Sequence, residues 1–260
     1  MDFRGKVALI TSASGGVGRE VAIRLAQAGA DVVVHSGTET EELERLTAQI
    51  REMGRRAISA VADIRRKAEV EGMVERARRE LGPVSVLVMC EQEFIARDFL
   101  EATVDDWDLM WGTYLKGNFL VTQAVCRQMR ESGGGSIVLL SSACANKVTD
   151  PDLALFASAR AGQTMYAKSL AFSLAGENIR ANAVVAGPLP HDPLTPGTQA
   201  GEEFLQTIPQ KRLGTAGEIA NACLFLASEE VPFVTGCTLL ADGGYTLATT
   251  GASRPRVQKS

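Results

Sequence analysis

Apolar residues in this chain come in short unbroken runs separated by longer stretches with helical spacing. The runs are residues 6–11 (KVALIT), 31–35 (DVVVH), 57–61 (AISAV), 84–89 (VSVLVM), 136–142 (SIVLLSS) and 179–185 (IRANAVV), with a last one inside 211–245. Such runs, bounded by polar residues, predict strands buried on both faces, as in a parallel sheet covered on two sides. Between them, Val21, Leu25, Ala26 and Ala28 fall on one face of a helix that Gly29 stops. Residues 39–54 predict a charged helix with Leu43, Leu46, Ile50 and Met53 inward and acids in its first turn, where the helix dipole favours them. Two longer helices are predicted over 105–130, opening on Asp105 and Asp106, and over 152–175. Strands alternating with helices predict an α/β fold built on a parallel sheet.

At 260 residues with 45% hydrophobic content, the chain is long enough for one such domain, here residues 1–248. Residues 249–260 (TTGASRPRVQKS) are polar and basic and are expected to form a disordered tail. The formal charge is -4 and no basic stripe alternates with aromatics, which argues against nucleic acid. Cys90, Cys126, Cys144, Cys223 and Cys237 are odd in number and lack C-x-x-C spacing, which argues against a disulfide framework or a zinc site. The first strand begins within a few residues of the N-terminus, leaving no room for a signal peptide, and no apolar run approaches a membrane span of about 20 residues. The expectation is a cytoplasmic protein without membrane contact.

Candidate chemistry gathers at the strand ends. After the first strand, Ser12, Ala13, Ser14, Gly15, Gly16, Val17 and Gly18 turn into a helix. Glycines there let the backbone approach a diphosphate while the helix N-terminus offers free N–H groups; the same glycines also serve helix-on-sheet packing, and both roles stay open. The second strand ends in Ser36-Gly37-Thr38, with neither an acid for a ribose diol nor an Arg for a 2'-phosphate. Asp63 ends the third strand as a nucleotide ligand, a helix cap or both. The fourth strand runs into Met89-Cys90-Glu91-Gln92, where Glu91 brings a carboxylate near the path of a diphosphate. Cys90 and Cys144 read as small packing residues, since no His or Lys neighbours Cys90 in sequence to activate it.

These features, with Trp107, Ser142 at the end of the fifth strand, Phe156-Ala157-Ser158-Ala159-Arg160 in the following helix, Asn182-Ala183-Val184-Val185-Ala186-Gly187, and the C-terminal Asp242-Gly243-Gly244, resemble the short-chain dehydrogenase/reductase family over residues 6–247. The resemblance implies a single Rossmann-type α/β fold, a doubly wound parallel sheet of seven strands with helices on both faces that binds ligands at the carboxyl ends of the strands. It also implies a nicotinamide dinucleotide held by T-G-x-x-x-G-x-G, an Asn-Asn-Ala-Gly ledge, and a proton relay of Asn, Ser, Tyr and Lys. Ser12 stands at the first glycine and, with Ser14, Gly16, Val17, Gly18 and Asp63, makes up the weakened set of cofactor candidates, while Met89 to Gln92 replace the ledge. In the relay only Ser142 is kept; Tyr114, Phe156 and Arg160 stand at the other three positions, and fourteen residues rather than the usual thirteen separate Ser142 from Phe156. Phenylalanine has no proton to give, and Arg, a planar fork that stays protonated, replaces Lys poorly. Tyr114 is expected as a core aromatic, with a transplanted acid as the alternative. His191 falls where the family carries a Thr, in a loop with four prolines between 188 and 196, and is expected to face solvent.

Losses within one relay are not additive, so a single one already removes most of the rate. The expectation is therefore a non-catalytic, pseudoenzyme subunit of a heteromeric alcohol dehydrogenase or ketoreductase acting on a hydroxyacyl or ketoacyl thioester, partnered with a catalytically intact paralogue or with itself. No cofactor is firmly expected, with NAD or NADP binding weakened. The two central helices would form the interface through Val121, Val125 and Met129. The alternatives are a repurposed enzyme doing cyclisation, isomerisation or dehydration with Ser142, Tyr114, Arg160 and His191, and a nucleotide-sensing regulator.

Overall fold

Short apolar runs become parallel strands because helical connections return the chain to the same edge each time. A computed structural model describes residues 1–38, 40–148, 150–190 and 198–248. Its seven strands are β1 Val7–Ile10, β2 Asp31–Ser36, β3 Ala57–Val61, β4 Val86–Met89, β5 Gly135–Ser142, β6 Ile179–Ala186 and β7 Thr238–Ala241. They are all parallel, in the order β3-β2-β1-β4-β5-β6-β7. The chain winds outward from β1 to β3 and then crosses back to β4, so the switch in strand order lies between β1 and β4, where such sheets bind ligands. β4 starts two residues later than the 84–89 run suggests.

Two hydrophobic clusters sandwich the sheet. One joins it to α1 Gly16–Gln27, α2 Glu41–Glu52 and α8 Ala216–Ala227, the other to α3 Lys67–Glu80, α5 Asn118–Glu131 and α6 Ala154–Leu174. The remaining helices are α4 Val104–Trp111 and α7 Gln199–Gln206. All five cysteines are free. Among the described residues no helix is long and apolar enough to cross a membrane. The putting-together of 249–260 and the surroundings of His191 lie outside the described residues.

The predicted helix over 105–130 is present as one helical run from Val104 to Glu131, in which α4 and α5 are joined by a wide π-helical turn, Gly112–Gly117. A Cβ at Gly117 would lie 2.7 Å from Cδ1 of Ile64, so glycine lets this turn close on the end of β3. One expectation about the central helices is corrected: Val121, Val125 and Met129 are fully buried against the sheet and are not an interface. At i, i+4 and i+8 they form the single inward stripe of α5. Instead, the outer face of α5 and α6 exposes Phe119, Met165 and Phe172.

Candidate functional site

At the end of β1, Ser12 sits at φ +47°, the left-handed conformation where glycine is usual, so the turn keeps its shape without its first glycine. Gly16 and Gly18 serve different ends. A Cβ on Gly18 would lie 2.4 Å from the Ser12 carbonyl oxygen, so this glycine seats α1 on the turn. Gly16, at φ +54°, faces outward, and a Cβ there would lie 2.7 Å from Nε2 of Gln92. The side chain of Val17 belongs to the core, and Ser14 is half-buried. α1 has no side-chain cap and no acid in its first turn.

His35, at the end of β2, braces this turn, a role not apparent in the sequence. Its Nδ1 accepts the Ser12 N–H (3.4 Å) and its Nε2 donates to the Ala62 carbonyl (2.9 Å), which fixes the neutral tautomer. Burial lowers its pKa. The signal was a buried-strand position next to the end of β2 occupied by a histidine, after the three valines Val32, Val33 and Val34. Asp63 is occupied by Arg65, which donates to it from the backbone N–H (2.9 Å), Nε (2.8 Å) and Nη2 (2.9 Å). That pairing holds the carboxyl below its usual range. Asp63 does not cap α3, whose N-cap residue is Arg66; its Asx turn precedes the helix.

Past β4, Glu91 is buried, with Oε1 accepting the Thr11 hydroxyl and Oε2 unpartnered. Burial pushes this carboxyl up, against the opposing pull of Arg160. Burial likewise raises the Cys90 thiol, consistent with a packing residue rather than a nucleophile. Gln92 turns back over α1 and donates from Nε2 to the Gly15 carbonyl at 3.4 Å.

The structure brings Tyr114, Phe156 and Arg160 together. The π turn carries Tyr114, and one face of α6 carries Phe156 and Arg160. The Arg160 guanidinium donates from Nη1 to the Leu140 carbonyl (2.8 Å) and Gln163 Oε1 (3.2 Å), and from Nη2 to the Glu91 carbonyl (3.0 Å) and the Tyr114 hydroxyl (2.9 Å). It stacks 3.9 Å from the Tyr114 ring centroid and 5.0 Å from that of Phe156. The Tyr114 hydroxyl donates in turn to the Glu93 carbonyl. Tyr114 is fully buried, and burial raises its phenol pKa, which suits a structural hydrogen bond rather than an acid working near neutrality. Phe156 packs edge-on against Phe94 (5.1 Å) and Tyr114 (6.0 Å). Ser142 is turned to its own loop, where Oγ accepts the Cys144 N–H at 3.4 Å; it is Ser141 that meets α6, donating to the Arg160 carbonyl at 3.0 Å.

The nicotinamide dinucleotide implied by the resemblance does not fit these residues. The Gln92 carboxamide stands against one side of the otherwise exposed Gly16, a carboxyl lies at the end of β4, and Asp63 is engaged by Arg65.

Comparison with known proteins finds the chain similar to dehydrogenases and reductases. A family profile described as Enoyl-(Acyl carrier protein) reductase matches residues 12–246. The chain is 34% identical over 252 residues to the (2S)-[(R)-hydroxy(phenyl)methyl]succinyl-CoA dehydrogenase subunit BbsD of Thauera aromatica, covering 95% of this chain and 99% of the relative. It is 36% identical over 251 residues to the 3-oxoacyl-[acyl-carrier-protein] reductase FabG of Escherichia coli, covering 94% and 98%. Among solved structures it is similar to a hydroxysteroid dehydrogenase from Escherichia coli, with a TM-score of 0.84, 30% identity, and 94% and 96% of the two chains covered.

Proposed function

We propose that this chain, which belongs to the short-chain dehydrogenase/reductase family, is the non-catalytic subunit of a heteromeric dehydrogenase or ketoreductase that acts on a hydroxyacyl or ketoacyl thioester through a catalytically intact paralogue. The observation that carries this is the state of Arg160. A relay lysine has to present its charge to a cofactor ribose and a phenol; here the cation is buried, and its two terminal nitrogens are engaged by Leu140, Gln163, Glu91 and Tyr114. Beside it, Phe156 supplies a ring and no proton. A charge so enclosed serves packing, and the fold remains as a scaffold.

The substrate class rests on two relatives whose names specify a hydroxyacyl-CoA dehydrogenase subunit and a 3-oxoacyl carrier-protein reductase. The scaffold role is supported by the outer apolar faces. A groove between α5 and α6 is lined by Phe119, Cys126, Tyr166, Leu170 and Leu174, and α6 also carries Phe172, almost wholly exposed. β7 is an edge strand, near which Phe225 and Phe233 are exposed. Faces of this kind mark interaction surfaces when left in water.

The test is co-expression with an intact paralogue encoded beside it. The two chains should co-purify at a fixed ratio, and the complex should oxidise a hydroxyacyl-CoA with NAD or NADP while this chain alone shows no turnover. A purified chain that turns over such a thioester by itself, or that never associates with the paralogue, would remove the proposal.

A further inference from the structure

The misfit between the glycine turn and a dinucleotide has a specific cause. The turn itself is intact: Ser12 keeps the left-handed backbone, Gly18 keeps α1 seated, and α1 spans twelve residues with no side chain over its N-terminus from its own first turn. What stands beside it comes from elsewhere in the sequence. The Gln92 carboxamide lies across Gly16, with Nε2, Oε1 and Cδ at 2.7, 3.3 and 3.4 Å from where a Cβ would stand, and it donates to the Gly15 carbonyl.

We propose that Gln92 is the seal of the glycine turn, an internal carboxamide occupying the surface that a nucleotide diphosphate would need. This rests on the cleft side of the function proposed above and is independent of its assembly side. A diphosphate at a helix N-terminus is recognised by backbone N–H groups approached closely over glycine. The carboxamide stands over one side of Gly16, which is otherwise exposed, and has to swing out before a diphosphate can approach on that side. Its tether is one long hydrogen bond on an otherwise exposed side chain, so the seal is a matter of one residue and not of a rebuilt turn. Glu91, one residue earlier, sets a buried carboxyl against the Thr11 hydroxyl; its ionised form would oppose an anion there, a charge effect separable from the steric one.

The experiment is calorimetric titration of the full chain with ADP, and with NAD as a second probe, for the native protein and for Gln92→Gly, Gln92→Asn, Glu91→Gln and the double variant Glu91→Gln with Gln92→Gly. Circular dichroism checks that each is folded. Gln92→Gly should bind ADP at least about tenfold more tightly than the native chain, a difference of about 1.4 kcal/mol. Gln92→Asn, one methylene shorter, should fall between them, and it keeps the test open should glycine loosen the loop. The double variant should bind more tightly again, and Glu91→Gln alone should gain little. Native binding equal to that of both Gln92 variants overturns the proposal, as does a full gain from Glu91→Gln alone. Loss of the paralogue interaction in the co-expression test would remove the subunit function and leave this result standing.

Discussion

Ser12 shows how a single backbone conformation outlives the residue that favours it. A non-glycine residue in the left-handed region costs roughly 1–2 kcal/mol, while glycine's greater freedom in the unfolded chain returns about 0.5–1 kcal/mol. Ser12→Gly should therefore stabilise the protein by up to about 1 kcal/mol in urea unfolding. The replacement of glycine was legible in the sequence; the retained conformation was not, because it depends on His35 reaching across from β2. Two buried groups at this end of the sheet give opposite pH dependences. His35 has its folded pKa lowered by burial, so its contribution is complete above its unfolded value of about 6.5 and is lost as pH falls toward the folded value, at up to about 1.4 kcal/mol per unit. Glu91 has its folded pKa raised, so its contribution is complete below its unfolded value of about 4.3 and is lost as pH rises toward the folded value. Unfolding free energies measured from pH 4 to 8 should show His35→Gln flattening the slope below about 6.5 and Glu91→Gln flattening it above about 4.3.

Between elements, Arg160 acts as a clamp joining α6, the end of β5, the residues after β4 and the π turn. Restoring the family relay therefore runs against the packing. Phe156→Tyr would place a hydroxyl among Phe94, Tyr114 and Met110, and Arg160→Lys has one ammonium where two terminal nitrogens now make four hydrogen bonds. The double variant should show no dehydrogenase activity on general alcohol and ketone probes. It should also lose at least about 2 kcal/mol, since a hydrogen bond to a charged group contributes about 1.5–3 kcal/mol. Scanning calorimetry should then find Tm lower by several degrees, at roughly 2–4 °C per kcal/mol for a chain of this size. An unchanged Tm with new turnover would show that the clamp is dispensable. The elements themselves were legible: β3 falls where its apolar run predicts, and α2 and α6 differ from expectation only at their ends. The long helix over 105–130 was legible too; the widened π turn inside it was not, because the chain stays apolar through Tyr114 and Leu115 and only the approach of Gly117 to Ile64 reveals it. The clamp was half legible: Tyr114, Phe156 and Arg160 were singled out in sequence, but their closure on Leu140, Glu91, Gln163 and Glu93 is tertiary.

On the scale of the whole molecule, what distinguishes scaffold from interface is which side of each central helix meets the sheet. Val121, Val125 and Met129 drew attention as an apolar stripe, and the sheet has already taken it; Met165 and Phe172, seven residues apart on α6, form the stripe that remains. An obligate interface usually buries more than about 2,000 Å² and needs apolar anchors at its centre. The chain expressed alone should self-associate, as seen by light scattering after size exclusion. Phe172→Asp should reduce that association and prevent co-purification with the paralogue, because an unpaired charge within a closed interface costs about 3–5 kcal/mol. Its effect on the unfolding free energy of the separated chain should stay within about 0.5 kcal/mol, as for an exposed position. Val125→Asp should do the reverse and abolish folding outright, since its side chain lies wholly inside the α5–sheet layer. If Phe172→Asp leaves the paralogue complex intact, the α5–α6 face is not the contact, and the edge formed by β7 and Phe233 becomes the surface to substitute next.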